Sequence, residues 1–149
     1  MEKVIVTKNS ISVVLMAIGG FLASLLGGWD VALKALVILM AADFITGVMV
    51  AAIWKRSGKS ESGALESRAS FKGICKKVGI LMAVIIGVTV DELTGDNYVR
   101  TLVIMFFIGN EGLSLLENWT LMGIPHPPIL KKVLEVMRDK GSDETRNDE

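Results

Sequence analysis

The sequence predicts an all-α integral membrane protein with about four transmembrane helices, both termini in the cytoplasm and an amphipathic helix near the C-terminus. Three observations lead to this fold class. Hydrophobic residues make up 51% of the 149 residues, the mean hydropathy is +0.51, and the charged residues are gathered into blocks between long apolar segments. A soluble helix would instead keep a polar face along its whole length.

Composition excludes other classes of protein. A chain this apolar does not stay disordered, and a single cysteine excludes a disulfide-stabilised scaffold. The 16 basic and 16 acidic residues cancel, so the whole protein has no electrostatic attraction to nucleic acid. We therefore expect the lipid bilayer, and no nucleic acid, among its partners.

Four hydrophobic segments are expected to span the bilayer, at about 11–28, 31–54, 71–90 and 98–118. A helix needs about 20 residues to cross a hydrocarbon core of about 30 Å. The first segment is interpreted as retained and not as a cleaved signal peptide, because another hydrophobic segment follows it at once. The second segment is long enough to span the core even when tilted.

The third and fourth segments are less regular. The third is fully apolar only over residues 78–90, so its helix is expected to begin near Phe71, where nearby lysines can extend to the headgroups. The fourth is polar in its second half. Insertion to residue 118 is the favoured interpretation, since a span ending near Gly109 would cover only about 18 Å. The alternative, in which the polar half lies at the membrane interface, stays open.

Aromatic residues support the four spans, because Trp and Tyr favour the membrane interface and the large aromatics fall at segment ends. These residues are Trp29, Trp54, Tyr98 and Trp119.

The basic residues predict the orientation. Residues 55–77 contain seven basic and two acidic residues, whereas the connection between the third and fourth segments is acidic. The positive-inside rule places the loop 55–70 in the cytoplasm, together with the N-terminus 1–10 and a tail 123–149 that flank the membrane domain 11–122. Five basic residues are expected to set this topology and to contact anionic lipid: Lys55, Arg56, Lys72, Lys76 and Lys77.

The tail begins with prolines at positions 125, 127 and 128, which end any helix. Apolar residues then recur at helical spacing over residues 129–138, opposite several charged residues. We expect an amphipathic helix lying on the inner leaflet. A helix that binds a partner, or is merely solvated, is an equal alternative.

Polar residues inside the hydrophobic segments are the main functional candidates. A charged residue at the centre of a membrane helix costs about 2.5–3.5 kcal/mol on insertion scales, so it usually faces other helices or water. Asp43 lies near the middle of the second segment, where a protonated or hydrogen-bonded packing residue is the alternative. In the fourth segment, polar residues share one helical face. The candidates for a polar pore lining are Asp43, Asn110, Glu111, Ser114, Glu117 and Asn118.

Small residues four positions apart are typical of surfaces on which membrane helices approach closely. Two adjacent rows occur in the first segment, and one row that includes Asp43 occurs in the second. The candidate helix-packing residues are Gly19, Gly20, Ala23, Ser24, Gly27, Gly28, Gly47 and Ala51. The pattern does not distinguish a partner helix in the same chain from one in another copy.

No group of residues indicates an enzyme. His126 is the only histidine and Cys75 the only cysteine, so neither a metal site nor a Cys/His catalytic pair is expected. Residues 58–60 (GKS) lack the earlier glycine and the preceding strand of a phosphate-binding loop. We therefore expect no catalytic residue, no metal and no cofactor.

Four stretches occur in a defined order: residues 43–47 (DFITG), 67–77 (SRASFKGICKK), 110–118 (NEGLSLLEN) and 123–127 (GIPHP). Together they resemble the holin family that serves phage lysis and toxin secretion. Each stretch alone is weakly specific, whereas the ordered set is fairly specific and covers most of the chain.

The resemblance implies a bacterial or prophage protein of the cytoplasmic membrane that accumulates, forms homo-oligomers and opens lesions. A muralytic enzyme (endolysin) or a toxin without a signal peptide would leave through them, with no direct contact required. The matching positions carried over are Asp43, Gly47, Glu111 and Asn118, without a catalytic role. Two other classes fit the same residues: a small ion or proton channel or transporter subunit, and a membrane scaffold or holin inhibitor.

Overall fold

The computed structural model describes residues 2–54 and 67–143, with their side chains over 11–54 and 70–142. Five α-helices run through these residues: α1 (Glu2–Leu25), α2 (Val31–Met49), α3 (Ser67–Thr94), α4 (Val99–Leu121) and α5 (Pro128–Asp143). A π-helix, Val50–Trp54, continues α2.

Three helical segments are long and apolar enough to cross a membrane: Val31–Trp54, Ser70–Thr94 and Val99–Leu121. A fourth, Ile11–Leu25, is apolar but shorter. The predicted all-α class, with three to four helices of membrane-spanning character, is confirmed. The protein is therefore a multi-pass membrane protein.

Helices α2, α3 and α4 form the central bundle, and contacts at its two ends establish their directions. At the start of α2, Asp30 pairs with Arg100 at the start of α4. Further along α2, Asp43 contacts Asn118 near the end of α4, so the two helices are parallel. Helix α3 runs in the opposite direction, because Asp91 near its end binds the start of α4.

The core between these helices is aliphatic and thin. Leu33 and Leu36 of α2, Val84 of α3 and Ile104 of α4 are each 0% exposed. Many large apolar side chains point away from this core and are exposed, for example Ile38, Ile45, Met82 and Ile86. Soluble monomers rarely present apolar surface on that scale, whereas a bilayer covers it with lipid.

At one end of the bundle, the guanidinium group of Arg100 holds the turn between α1 and α2. It donates hydrogen bonds to the carbonyl oxygens of Leu26 at 2.6 Å and Gly28 at 3.1 Å, and it pairs with Asp30 at 2.6 Å. Asp30 also caps α2 by accepting a hydrogen bond from the backbone N–H of Leu33 at 2.8 Å. The hydrogen bond from Arg100 lowers the pKa of the Asp30 carboxyl, which keeps the ion pair charged.

Asp91 anchors the backbone of the same arginine. Its two carboxylate oxygens accept hydrogen bonds from the N–H groups of Val99 at 2.9 Å and Arg100 at 3.0 Å. These N–H groups belong to the first turn of α4, where backbone N–H groups have no acceptor within their own helix. The acidic connection between α3 and α4 thus positions the start of α4.

Helix α5 packs antiparallel along α4 through small residues. A Cβ added to Gly112 of α4 would lie 2.5 Å from Cδ2 of Leu134, early in α5. A Cβ added to Gly141, late in α5, would lie 2.5 Å from Cβ of Phe106, earlier in α4. The contact that lies later in α5 is thus the one that lies earlier in α4. Helix α5 therefore runs back along α4 toward the end of the bundle that contains Arg100.

Some predicted features lie outside the described residues. They include most of the loop 55–70, with Lys55 and Arg56, and residues 144–149 of the predicted tail. The division into cytoplasmic and membrane parts stays a prediction. Helix α1 extends into the predicted N-terminal segment, since it begins at Glu2.

Candidate functional site: a buried ion cluster between three helices

Four side chains from three helices meet inside the bundle, and we call them the buried ion cluster: Asp43 of α2, Lys77 of α3, and Glu111 and Asn118 of α4. The Nζ atom of Lys77 lies 2.6 Å from Oδ2 of Asp43 and also donates to Oε2 of Glu111. Nδ2 of Asn118 donates to Oδ1 of Asp43 at 3.1 Å. Each carboxylate oxygen of Asp43 is therefore bound by a different helix.

The cluster is buried at mid-helix. Asp43, Glu111 and Asn118 are 4%, 3% and 6% exposed, and the side chain of Lys77 is 15% exposed. Asp43 and Glu111 lie near the middle of their apolar helices, so a bilayer would surround the cluster with hydrocarbon. A single charge at that depth costs about 2.5–3.5 kcal/mol on insertion scales, and the charge-assisted hydrogen bonds between the helices offset that cost.

Thr46 extends the contact between α2 and α4 by one helical turn. The amide of Asn118 donates to Oγ1 of Thr46 at 3.0 Å and to the backbone carbonyl of Asp43 at 3.2 Å. Oγ1 of Thr46 in turn donates to the carbonyl of Ala42 at 2.8 Å. Asn118 therefore joins the two helices through uncharged groups as well as through the carboxylate.

Three of the four stretches that carry the family resemblance meet in this cluster. Residues 43–47 provide Asp43, residues 67–77 end at Lys77, and residues 110–118 provide Glu111 and Asn118. The stretches are distant in the chain and adjacent in the bundle. Their order along the sequence thus corresponds to one site in space.

Two carboxylates face one ammonium group in the buried ion cluster. When all three groups are ionised, the cluster carries a formal charge of −1. The charge-assisted hydrogen bonds within it join the three helices. Within residues 2–54 and 67–143, no group of three or more His, Cys, Asp or Glu side chains is arranged to hold a metal ion.

The other predicted pore-lining residues divide by exposure. Asn110 and Ser114 are half-buried and Glu117 is exposed. On the polar face of α4, Glu111 and Asn118 thus point into the bundle, whereas Glu117 lies on the outer surface. A pore-lining role for this face stays a prediction.

The predicted small-residue rows of α1 are partly accessible. Gly19 and Gly20 are exposed, and an added Cβ at either one would meet no atom within 4 Å. Ala23 is half-buried and Ser24 is exposed, with its hydroxyl donating to the carbonyl of Phe21 at 2.7 Å. Gly19 and Gly20 are therefore free of tight helix contacts within the single chain.

The remaining packing candidates lie in other settings. Gly27 and Gly28 follow the end of α1 and have φ angles of +75° and +100°, a backbone conformation for which glycine is favoured. Gly47 is half-buried and Ala51 is buried. The role of these residues in association with other copies stays a prediction.

The ion-pair role of Lys77 is not visible in the segment pattern, which groups it with Lys72 and Lys76 as headgroup contacts. Lys72 and Lys76 are exposed, whereas the ammonium group of Lys77 points into the bundle. Helical spacing contains the missing signal. Lys77 lies three and seven residues before the buried Ile80 and Val84, so it shares their inward face.

Comparison with known proteins adds a family. A sequence profile of the bacteriophage holin family matches residues 20–139. A probable holin of Bacillus phage phi105 is 30% identical over 118 residues, which cover 78% of this chain and 82% of the phage protein.

Bacterial relatives are similar over most of their length. An uncharacterized protein of Listeria monocytogenes is 35% identical over 136 residues, covering 90% of this chain and 91% of its own. An uncharacterized 14.9 kDa protein of Clostridium perfringens is 34% identical over 142 residues, covering 94% of this chain and 99% of its own. No solved structure matches.

Replacing Lys77→Met is expected to destabilise the bundle by roughly 3–5 kcal/mol, because two buried carboxylates lose their shared cation. The matched control is Lys76→Met, an adjacent and exposed lysine, for which we expect a change within about 0.5 kcal/mol. The free energy of unfolding is measured on purified protein in mixed micelles by titration with dodecyl sulfate. Adding Asp43→Asn and Glu111→Gln to Lys77→Met should recover part of the loss. Equal stability of the two single variants would contradict the ion-pair role.

Proposed function

Because the chain belongs to the bacteriophage holin family, we propose that it is a holin of the bacterial cytoplasmic membrane. Copies accumulate in the membrane, associate and open lesions. A muralytic enzyme or a signal-less toxin leaves the cytoplasm through them, and lysis or secretion follows. That enzyme or toxin is a functional partner that need not touch the protein, and the proposed activity is not enzymatic.

The observation that carries this proposal is the buried ion cluster. A chain of this size cannot enclose a hole for a folded protein, so many copies are needed, with polar surfaces toward water and apolar surfaces toward lipid. Copies must also accumulate without leaking. The cluster supports such a closed state, because it pairs the mid-membrane charges of α2, α3 and α4 with one another inside each chain.

Helix α1 is the proposed surface for association between copies. Its exposed Gly19 and Gly20 are free of tight contacts in the single chain, and small residues let helix backbones approach closely. Its large apolar side chains, such as Leu15 and Phe21, are exposed as well. Association through α1 would leave the three-helix bundle of each copy intact.

A loss of membrane potential is the proposed trigger. Moving one elementary charge through the potential is worth about 2.3 kcal/mol per 100 mV. The formal charge of −1 on the cluster gives the field a group on which to act. Collapse of the potential would then remove the force on this charge and change the balance between the closed and the open arrangement of the copies.

The primary test is induced expression in a bacterium that carries a signal-less cytoplasmic muralytic enzyme. Membrane potential is followed with a dye, and the enzyme is assayed outside the cells. We expect sudden depolarisation together with enzyme release and lysis, because a lesion for a folded enzyme also passes ions.

Two other outcomes would favour different functions. Depolarisation without enzyme release would indicate a small-pore protein or an ion channel. No depolarisation, with the protein shown to be in the membrane, would indicate a scaffold or a holin inhibitor.

The trigger is tested by removing the charges while keeping the shape. The double variant Asp43→Asn, Glu111→Gln should shift the time of lysis at equal expression, because the cluster then carries a different charge in the field. The control is Glu92→Gln, an exposed glutamate near the end of α3, which should leave the timing unchanged. Unchanged timing in the double variant would exclude the two carboxylates from the trigger.

The association surface is tested by adding bulk to it. Gly20→Leu should reduce crosslinking between copies in intact membranes, because a large side chain separates the helix backbones. Gly79→Leu on α3 is the control, since both positions leave an added Cβ without any atom within 4 Å and neither change disturbs the single-chain bundle. Crosslinking that is unchanged in Gly20→Leu would remove α1 as the association surface.

A further inference from the structure

We propose that α5 stays packed along α4 across the membrane and that one side of α5 lines the water-filled path of the assembled protein. This inference rests on the proposed function and assigns the lumen surface to a specific helix. It differs from a helix lying flat on the inner leaflet and from a helix that is merely solvated, which are two of the interpretations that the amphipathic pattern allows.

Helix α5 has three distinct sides. One side contacts α4 and the core, through Leu134, Met137 and Gly141. A second side, here called the apolar flank, is exposed and aliphatic and consists of Ile129, Val133 and Val136. The third side, here called the polar flank, has the helical spacing of a single face and consists of Lys131, Lys132, Glu135, Arg138, Asp139 and Ser142.

The contact side places α5 deep along α4. Gly141 lies beside Phe106, and its added Cβ would also be 2.7 Å from the carbonyl oxygen of Leu102. Phe106 is about 22 Å before the end of α4, measured along the helix axis. A helix that began after the 122–127 turn and lay flat on the membrane would not reach that level. With 16 residues, α5 is about 24 Å long and covers most of a hydrocarbon core.

Glycines make this close packing specific to α5. At Gly109 an added Cβ would lie 2.6 Å from the backbone nitrogen of Arg138, and the clash at Gly112 is with the side chain of Leu134. Together with Gly141, three glycines on the two helices fit one interface. Both helices contribute glycines at the places where their backbones approach closely. We therefore interpret this interface as specific helix packing.

The polar flank must face water if α5 has this position in a bilayer. Its charges pair locally, with Lys131 and Glu135 at 3.9 Å and Arg138 and Asp139 at 3.0 Å. These four side chains are at least 38% exposed, so the pairs remain open to their surroundings. A charged residue in the middle of the hydrocarbon costs about 2.5–3.5 kcal/mol on insertion scales, and the flank carries five. Lipid on this side would be prohibitive, whereas a lumen between copies provides water.

The two flanks together fit the edge of a lesion. The apolar flank can face lipid while the polar flank faces the lumen, with α4 behind the helix. The polar groups of α4 are less available for that role, because Glu111 and Asn118 are engaged in the buried ion cluster. The polar flank of α5 is therefore a more continuous polar surface for contact with water than the polar face of α4.

The position of α5 is tested with cysteine pairs in a Cys75→Ser background. The pairs are Phe106→Cys with Ser142→Cys, and Leu113→Cys with Leu134→Cys, so that the close-packed glycines beside them are kept. The second pair guards against a variant that fails to fold. A short bis-methanethiosulfonate, which joins nearby thiols through reducible disulfides, should crosslink either pair within one chain in membranes, and enzyme release should be the same before and after crosslinking. The Cys75→Ser parent protein and the wild-type protein are assayed for enzyme release in parallel.

The outcomes separate the inference from the proposed function. Enzyme release without a crosslink in either pair would overturn the inference alone. A crosslink that blocks release until a reductant is added would also overturn it, because α5 would then have to leave α4. If neither the wild type nor the parent releases enzyme, the proposed function fails and the inference fails with it.

Water exposure is tested on two matched positions. Asp139 and Val136 lie on different flanks of α5, and both residues are exposed. In cells that have released the enzyme, Asp139→Cys should react with a water-soluble maleimide at least ten times faster than Val136→Cys. Equal rates, or the reverse order, would overturn the assignment of the lumen side.

Discussion

One ammonium group shared by two carboxylates holds this bundle in register. Lys77 on α3 binds the mid-helix carboxylates of both α2 and α4. Apolar helices of uniform surface can slide along one another at little cost in lipid, because lipid tails are as apolar as their side chains. A buried ion pair cannot slide, since breaking it leaves an unpaired charge. The positions of Asp43 and Glu111 therefore determine how far each helix extends toward either membrane surface.

The second constraint lies at the Arg100 end and follows from the first. With α2 and α4 parallel and in register, their starts lie side by side, and one guanidinium group can bind the turn before α2. Asp30 and Asp91 each satisfy backbone donors at a helix start while taking part in the contacts around Arg100. The acidic residues at this end therefore stabilise the starts of α2 and α4.

The sequence predicts the helices well and their partners poorly, and the reason is physical. Runs of apolar residues identify spanning helices, because crossing the hydrocarbon requires a fixed length. The inward face of Asp43 and Glu111 also follows from the cost of exposing a charge to lipid. The cation that pairs with them does not follow, because Lys77 is 34 residues from each and lies in a lysine-rich stretch. Only its alignment with Ile80 and Val84 distinguishes it from its neighbours. The packing of α5 on α4 could not be predicted for a different reason. Small residues such as Gly109 and Gly112 are common in membrane helices, and the sequence does not indicate which helix packs against them.

A protein that opens a membrane must satisfy two opposite requirements with one sequence. Before opening, the mid-helix charges of α2, α3 and α4 must be kept from lipid, and the buried ion cluster does this within each single chain. After opening, it must offer water a continuous polar surface, and pulling the cluster apart to supply that surface would weaken the register of every subunit. A separate helix with its own polar flank removes the conflict, because α5 can face water while α2, α3 and α4 keep their contacts. In the proposed lesion, this division of polar groups between the interior and α5 would let the subunits remain folded.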